Sequence, residues 1–209
     1  MVVQNLKQIR PSSTMDILHQ KVHELFDASI ETKKSFINVF SDKIVQAVQK
    51  TAQALKNGHK LLFFGNGGSA CDASHLAAEF VNRFKIERPG LPALALATDM
   101  AVVTSISNDY DYSEIFSRQV RTLGQAGDIA FAISTSGNSP NVIKGALAAK
   151  EKGMSVIGFT GGAGGKLASL TDLAFIVPST HTARIQETHI TLGHVICELV
   201  DEILYGTLK

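Results

Sequence analysis

"LLFFGNGGSACDASHLAAEF", residues 61–80, sets an apolar run against a glycine-rich turn and then small and apolar residues at helical spacing. Four apolar residues without polar alternation read as a strand buried on both faces. The glycines end that strand, and a helix read as "SACDASHLAAEFVNRF" (69–84), starting at Ser69, carries the chain away. The same alternation recurs downstream. "PALALAT" (92–98), "GDIAFAIS" (127–134), "MSVIGFT" (154–160) and "LAFIVPS" (173–179) read as four further strands. Between and after them lie helical "AVVTSIS" (101–107), "YSEIFSRQVRTLG" (112–124), "PNVIKGALAAKEKG" (140–153) and a long closing "ARIQETHITLGHVICELVDEILYG" (183–206). Buried strands alternating with amphipathic helices predict an α/β three-layer sandwich. Its centre is a five-stranded parallel sheet of the flavodoxin-like kind.

Upstream of the first strand the pattern is helical over residues 15–57. Ile17, Val22, Leu25 and Phe26 recur at helical spacing, then Ile44, Val45, Val48 and Leu55. We expect two N-terminal helices here, the second closed by Gly58 in a left-handed cap. Their apolar stripes need a surface, either their own sheet or another subunit. Residues 1–14 have weak periodicity and are expected to be a flexible extension, with residues 15–209 forming one domain.

The chain's 209 residues are 44% apolar and 19% charged, a globular balance. A net charge of +1 gives no reason to expect nucleic acid or an anionic membrane as partner. The start, "MVVQNLKQIRPSSTMD", lacks the apolar core of a signal peptide, and Asp99 interrupts the best membrane-spanning candidate. Cys71 and Cys197, the two cysteines, lie in apolar helical contexts and are expected as buried free thiols. A soluble, cytoplasmic protein is the expectation.

In an open parallel sheet, ligands bind beyond the carboxyl ends of the strands. Two strand ends carry unusual loops here. In the first, Gly65, Gly67 and Ala70 satisfy a GxGxxA dinucleotide pattern, a weak signal alone. The second is "STSGNSPNVIKG", residues 134–145. Ser134, Thr135, Ser136 and Ser139 offer four hydroxyls. Ser139 is placed to cap the following helix, and Pro140 suits its first turn. An ordinary cap needs one hydroxyl, whereas four beside a helix N-terminus make an anion site without lysine. A phosphate there suits a small sugar phosphate better than an extended dinucleotide.

His75 and Glu79 are four residues apart, hence on one face of the first crossover helix. Such a pair is most often a solvated surface contact, but Leu76, Ala77, Ala78 and Phe80 surround this one. The closing helix adds Gln186, Glu187, His189 and His194. Histidines near carboxylates meet the preferences of divalent metals, zinc above all. Gln186 and His194 lie about 12 Å apart along a helix rising ~1.5 Å per residue, a taut but feasible span for one metal. His189 points elsewhere and reads as packing.

Taken together, "FGNGGSACDASHLAAEF", "ERPGLPALAL", "SNDY", "AISTSGNSPNVIKG", "GFTGGAGGKLA" and "ARIQETH" resemble the sugar isomerase (SIS) domain family. Within it they are similar to the branch that acts on sedoheptulose 7-phosphate, from about residue 15 to the end. The resemblance implies a homotetramer with active sites between subunits. It also implies conversion of D-sedoheptulose 7-phosphate to D-glycero-D-manno-heptose 7-phosphate, for the heptose of lipopolysaccharide core. By matching motifs, Asn66, Gly67, Gly68, Asn108 and Asp109 would contact substrate, and Ser134, Thr135, Ser136 and Ser139 would hold its phosphate. His75, Glu79, Gln186 and His194 would bind one zinc ion per subunit, with Glu79 and Gln186 also touching substrate. Glu79 and His194 would do the acid–base work, and Arg83 would help at the subunit interface. Many members carry Asp where this chain has Ala183, which bears on substrate positioning.

Two alternatives stand beside that reading. Non-catalytic SIS relatives bind the replication initiator protein, but they lack the Glu and His that this chain has as Glu79 and His194. Other SIS isomerases act on different sugar phosphates, usually within longer or doubled chains. For a ketose-to-aldose shift, Glu79 would carry a proton from C1 to C2 while His194 moves one between the oxygens. A carboxylate bound to zinc is a weak base. Either Glu79 leaves the metal when substrate binds, or the metal mainly organises the site.

Overall fold

The computed structural model describes residues 14–206. The expected extension over residues 1–14 therefore lies outside the described residues, apart from Thr14. The two expected N-terminal helices are one: α1 runs unbroken over Thr14–Lys56, 43 residues. The reason is plain in the sequence, because no glycine or proline occurs between its ends. Its buried side chains begin at Phe36 and become frequent from Ile44 onward. The first half exposes Met15, Leu18, Val22, Leu25, Phe26 and Ile30. Gly58 closes the connection at φ 82°, in the left-handed conformation expected of it.

After α1 the chain alternates as the apolar runs predict: β1 (Leu61–Gly65), α2 (Gly68–Val81), β2 (Ala93–Ala95), α3 (Met100–Asp109), a single 3₁₀ turn (Tyr112–Glu114) and α4 (Ile115–Leu123). Then come β3 (Ile129–Ile133), α5 (Pro140–Glu151), β4 (Ser155–Gly161), α6 (Gly165–Leu170), β5 (Leu173–Val177) and α7 (Thr182–Tyr205). The five strands are all parallel, in the order β2-β1-β3-β4-β5. The order reverses between β1 and β3, so the crevice for a ligand opens above their carboxyl ends.

Strand alternation divides the core into two layers. Leu61 and Phe63 of β1, with Ile129, Phe131 and Ile133 of β3, pack under α1, α2 and α7. Leu62 and Phe64, with Ala130 and Ala132, face α3 through α6. Phe63 stacks on Phe131 with ring centroids 4.5 Å apart. Each such fully buried phenylalanine contributes roughly 1.5–3 kcal/mol of transfer free energy.

Asp99, read as a break in an apolar run, is also the N-cap of α3 and accepts from the amides of Ala101 and Val102. Two local expectations change. Helix α2 ends at Val81, short of the expected residue 84, because the carbonyls at its end are taken by Arg88. That buried guanidinium donates to the carbonyls of Glu79 (3.0 Å), Phe80 (2.7 Å) and Asn82 (3.1 Å) and pairs with Asp201 on α7 at 2.9 Å. Cys197 is buried as expected, but Cys71 is exposed. The buried positions of α2 are Ser69, Ala73, Leu76, Ala77 and Phe80, which puts Cys71 on the opposite face. No helix among the described residues is long and apolar enough to cross a membrane.

Candidate active site

The loops leaving β1, β3 and β4 converge above the switch point. Gly65 permits the approach of β1 to β3, since a Cβ there would stand 2.8 Å from the carbonyl oxygen of Ile133. Asn66 then meets Asn141, the second residue of α5. Asn66 Nδ2 donates to Asn141 Oδ1, and Asn141 Nδ2 donates back to Asn66 Oδ1, both at 2.8 Å. The Tyr112 hydroxyl donates to the same Asn66 oxygen at 3.1 Å. Asn141 is 2% exposed. Sequence reasoning passed over it, because its partner is 75 residues away.

The hydroxyl-rich loop sits beside this pair. Ser134 is buried, and its Oγ lies 3.0 Å from Ser139 Oγ. Ser139 holds the N-cap position of α5, but its side chain makes no cap hydrogen bond, contrary to the expected cap. Its hydroxyl turns to Ser134; Pro140 has no N–H and the Val142 amide donates to Asn141 Oδ1, so of the first turn only the Asn141 amide is left for the crevice. The loop after β4 braces this one. Gly137 (φ 65°) packs so tightly on Gly164 that a Cβ would fall 2.0 Å from its carbonyl oxygen. The amide of Leu167 donates to the Gly137 carbonyl at 2.9 Å, and that of Lys166 to Asn138 Oδ1 at 3.1 Å. Thr135 and Ser136 line one cavity of about 320 Å³, reaching Gly162 and the start of α7. Ser139 and Asn66 line another of about 290 Å³ with Tyr112.

On the other side of the glycine loop, α2 meets α7. Gly193 allows the contact, since a Cβ on it would run into the Leu76 side chain at 2.4 Å. That approach brings together residues 119 apart in the chain: His75 Nε2 lies 3.3 Å from His194 Nε2. The same His75 atom lies 3.0 Å from Glu79 Oε1. One N–H on His75 cannot point in both directions. Three such atoms, all within 4.8 Å, fit a shared cation. Two nitrogens at about 2.05 Å on a tetrahedral zinc stand about 3.3 Å apart. His194 is held below the usual histidine pKa, first by burial and then by the His75 charge, against a smaller opposing effect of Glu79. That favours the neutral, ligating form. Phe84 stacks on its ring at 5.3 Å.

Gln186, two turns before His194, lies against the start of α2. A Cβ on Gly68 would come 2.5 Å from its Nε2, so only glycine leaves room for that amide. His189 is apart from the cluster, as expected. It is buried, and its Nε2 donates to the Thr160 carbonyl at 3.0 Å. Asn108 and Asp109 are exposed at the end of α3 and bond each other at 2.9 Å. Among the described residues no hydrogen bond ties them to the serine loop or to the histidines, though Tyr112 follows three residues later. Arg83 is exposed and pairs with Glu87 at 3.3 Å.

Comparison with known proteins bears on this arrangement. The SIS domain profile matches residues 24–161. The phosphoheptose isomerase of Thermodesulfovibrio yellowstonii is 56% identical over 90% of this chain and 94% of the relative. That of Aquifex aeolicus is 52% identical over 88% of this chain and 97% of the relative. The solved structure of a phosphoheptose isomerase from Neisseria gonorrhoeae superposes with a TM-score of 0.84 at 45% identity, covering 88% of this chain and 99% of that one.

Proposed function

The chain belongs to the SIS domain family, in its phosphoheptose isomerase branch, and we propose that Glu79 and His194 carry the aldose–ketose isomerisation that defines it. The substrate is D-sedoheptulose 7-phosphate and the product D-glycero-D-manno-heptose 7-phosphate, destined for lipopolysaccharide core heptose. The reading rests above all on one observation: His75, Glu79 and His194 meet within 4.8 Å, in a chain whose next strand-end loop is rich in hydroxyls.

In this reading the phosphate binds Ser134, Thr135, Ser136 and Ser139 at the start of α5, where the helix dipole favours an anion. Asn66, Gly67 and Gly68 hold the sugar, with Asn108, Asp109 and Gln186 completing the contacts. The Glu79 carboxylate accepts the proton from C1 of the open-chain ketose and returns it to C2. His194 moves the remaining proton from the oxygen on C1 to that on C2, so the reaction is neutral in protons. Such transfers by a positioned base contribute about 10²–10⁴-fold. His75, Glu79 and His194, with Gln186 as fourth ligand, suit one zinc ion per subunit. When bound it would supply Lewis acidity toward the sugar carbonyl.

The exposed apolar side chains on the first half of α1 support a homotetramer with active sites at the subunit interfaces. A cytoplasmic reaction fits a substrate that, as a phosphate ester, is retained inside the cell where it is made.

The test is turnover of sedoheptulose 7-phosphate by zinc-supplemented protein, followed by NMR detection of the aldose. Wild type should convert it, and Glu79→Gln should not, while keeping its fold and oligomeric state. Absence of turnover in the wild type, with capture of the replication initiator, would instead favour the non-catalytic alternative.

A further inference from the structure

We infer that Asn141 is a positioning residue that locks the Asn66 side chain as a pure hydrogen-bond donor toward the sugar. The inference rests on the isomerase reading above and extends it to residues that reading does not assign.

A carboxamide can turn end over end at almost no steric cost, exchanging its donor and acceptor. A site that needs one polarity has to fix it. Here the fixed point is the backbone. The amide of Val142 donates to Asn141 Oδ1 at 2.9 Å, and a backbone N–H can only donate. That contact sets which end of Asn141 is oxygen. With Oδ1 placed, Asn66 has to present Nδ2 to it and Oδ1 to Asn141 Nδ2, as the reciprocal 2.8 Å bonds show. Tyr112 then donates to Asn66 Oδ1 and takes its second lone pair.

The accounting leaves Asn66 one free group, the second N–H of its amide. Asn66 lines the same cavity as Ser139, of about 290 Å³. Asn66 therefore offers the sugar a donor and no acceptor. The matching atom is an oxygen that accepts: a carbonyl, or the oxyanion of an enediolate as it develops. Asn141, 2% exposed, reaches that atom only through Asn66.

Asn141→Asp tests the relay. The new carboxylate still accepts from Val142 and from Asn66, but both its oxygens only accept, so it opposes Asn66 Oδ1 and no longer holds the Asn66 amide with its free N–H toward the sugar. We expect kcat to fall on the order of 10²-fold, the size of effect seen when one oxyanion donor is lost, with KM changed less. Asn66→Ala should lose a similar factor. In the Asn66→Ala background, Asn141→Asp should then cost nothing more, because both changes remove one donor. Tyr112→Phe, at an exposed position, frees a lone pair on Asn66 Oδ1 but leaves its donor fixed by Asn141, so it should lower kcat far less than Asn66→Ala. Asn141→Ser, too short to reach Asn66, decides the matter if Asn141→Asp does not fold: it should lower kcat in the wild-type background and not in Asn66→Ala. Equal losses in both backgrounds, or full activity of folded Asn141→Asp, would overturn the relay. A wild-type protein that fails to turn over the heptulose phosphate would overturn the isomerase reading instead.

Discussion

His189 donates its Nε2 hydrogen to the carbonyl of Thr160 from a position 1% exposed, and its buried Nδ1 has no hydrogen-bond partner among the described residues. The imidazole is thus stored neutral between α7 and β4, with Phe159 beside it at 5.6 Å. Burial lowers its pKa from 6.5 to about 4, against a smaller contrary effect of the Thr160 bond.

The pH dependence of stability follows from that depression. Above about pH 6.5 both the folded and unfolded chains hold His189 neutral. Between 6.5 and 4 the unfolded chain takes up a proton that the fold refuses, so stability falls as pH falls. The full span corresponds to roughly 3 kcal/mol by pH 4. Urea midpoints measured with a chelator at pH 7.5 and pH 5 should differ more for wild type than for His189→Gln. An identical slope in the two proteins would remove His189 from the account.

Arg88 and Asp201 form an ion pair in which each side chain is 1% exposed. Arg88→Met leaves Asp201 charged in the interior and withdraws donors from three carbonyls at the end of α2. We expect a loss of about 3–5 kcal/mol in unfolding free energy. Arg88→Met combined with Asp201→Leu should lose less than Arg88→Met alone, since no stranded charge remains. Denaturant melts of the two proteins give the comparison. A double variant weaker than the single would contradict the stranded-charge argument.

Gly137 combines a left-handed backbone with no room for a methyl group. Gly137→Ala should push the loop at residues 134–139 off its brace on Gly164. The expected result is a KM for the sugar phosphate raised at least tenfold, with a smaller change in kcat. Weakened protection by inorganic phosphate in thermal melts should accompany it. Unchanged KM would mean the brace does not shape the phosphate site.

Metal removal should leave an inactive protein that recovers with zinc. His75→Ala should require far more zinc for the same recovery, because one of three clustered ligand atoms is gone. Metal content by mass spectrometry alongside activity checks this. Full activity in demonstrably zinc-free protein would take zinc out of the proposed chemistry.

Parts of this molecule were legible in the sequence because their signals are local. The runs at residues 61–64 and 129–133 announce buried strands, and the four-residue spacing of His75 and Glu79 puts them on one helical face. Helix α1 reads as two because the polar run at residues 31–35 interrupts its apolar stripe, yet no glycine or proline lies there to break the helix. Cys71 was misread for want of helical phase. Arg88 and Asn141 gave no signal at all. Arg88 bonds backbone carbonyls, which every residue has, and Asn141 pairs with an amide 75 positions away. Ser139 was read as a cap from its place, whereas its hydroxyl is claimed by Ser134. The partnership of His194 with His75 entered through resemblance, since spacing cannot relate residues on separate helices.

All five strands are complete by Val177, yet His194 belongs to the helix that follows them. Synthesis at about 5–20 residues per second therefore leaves His75 waiting on the order of ten seconds for its partner. A chain cut or stalled in that interval could build the whole sheet and still bring no imidazole from α7 to His75. On the proposed role of His194, competence comes only after the sheet is complete, so activity would report that α7 has joined it.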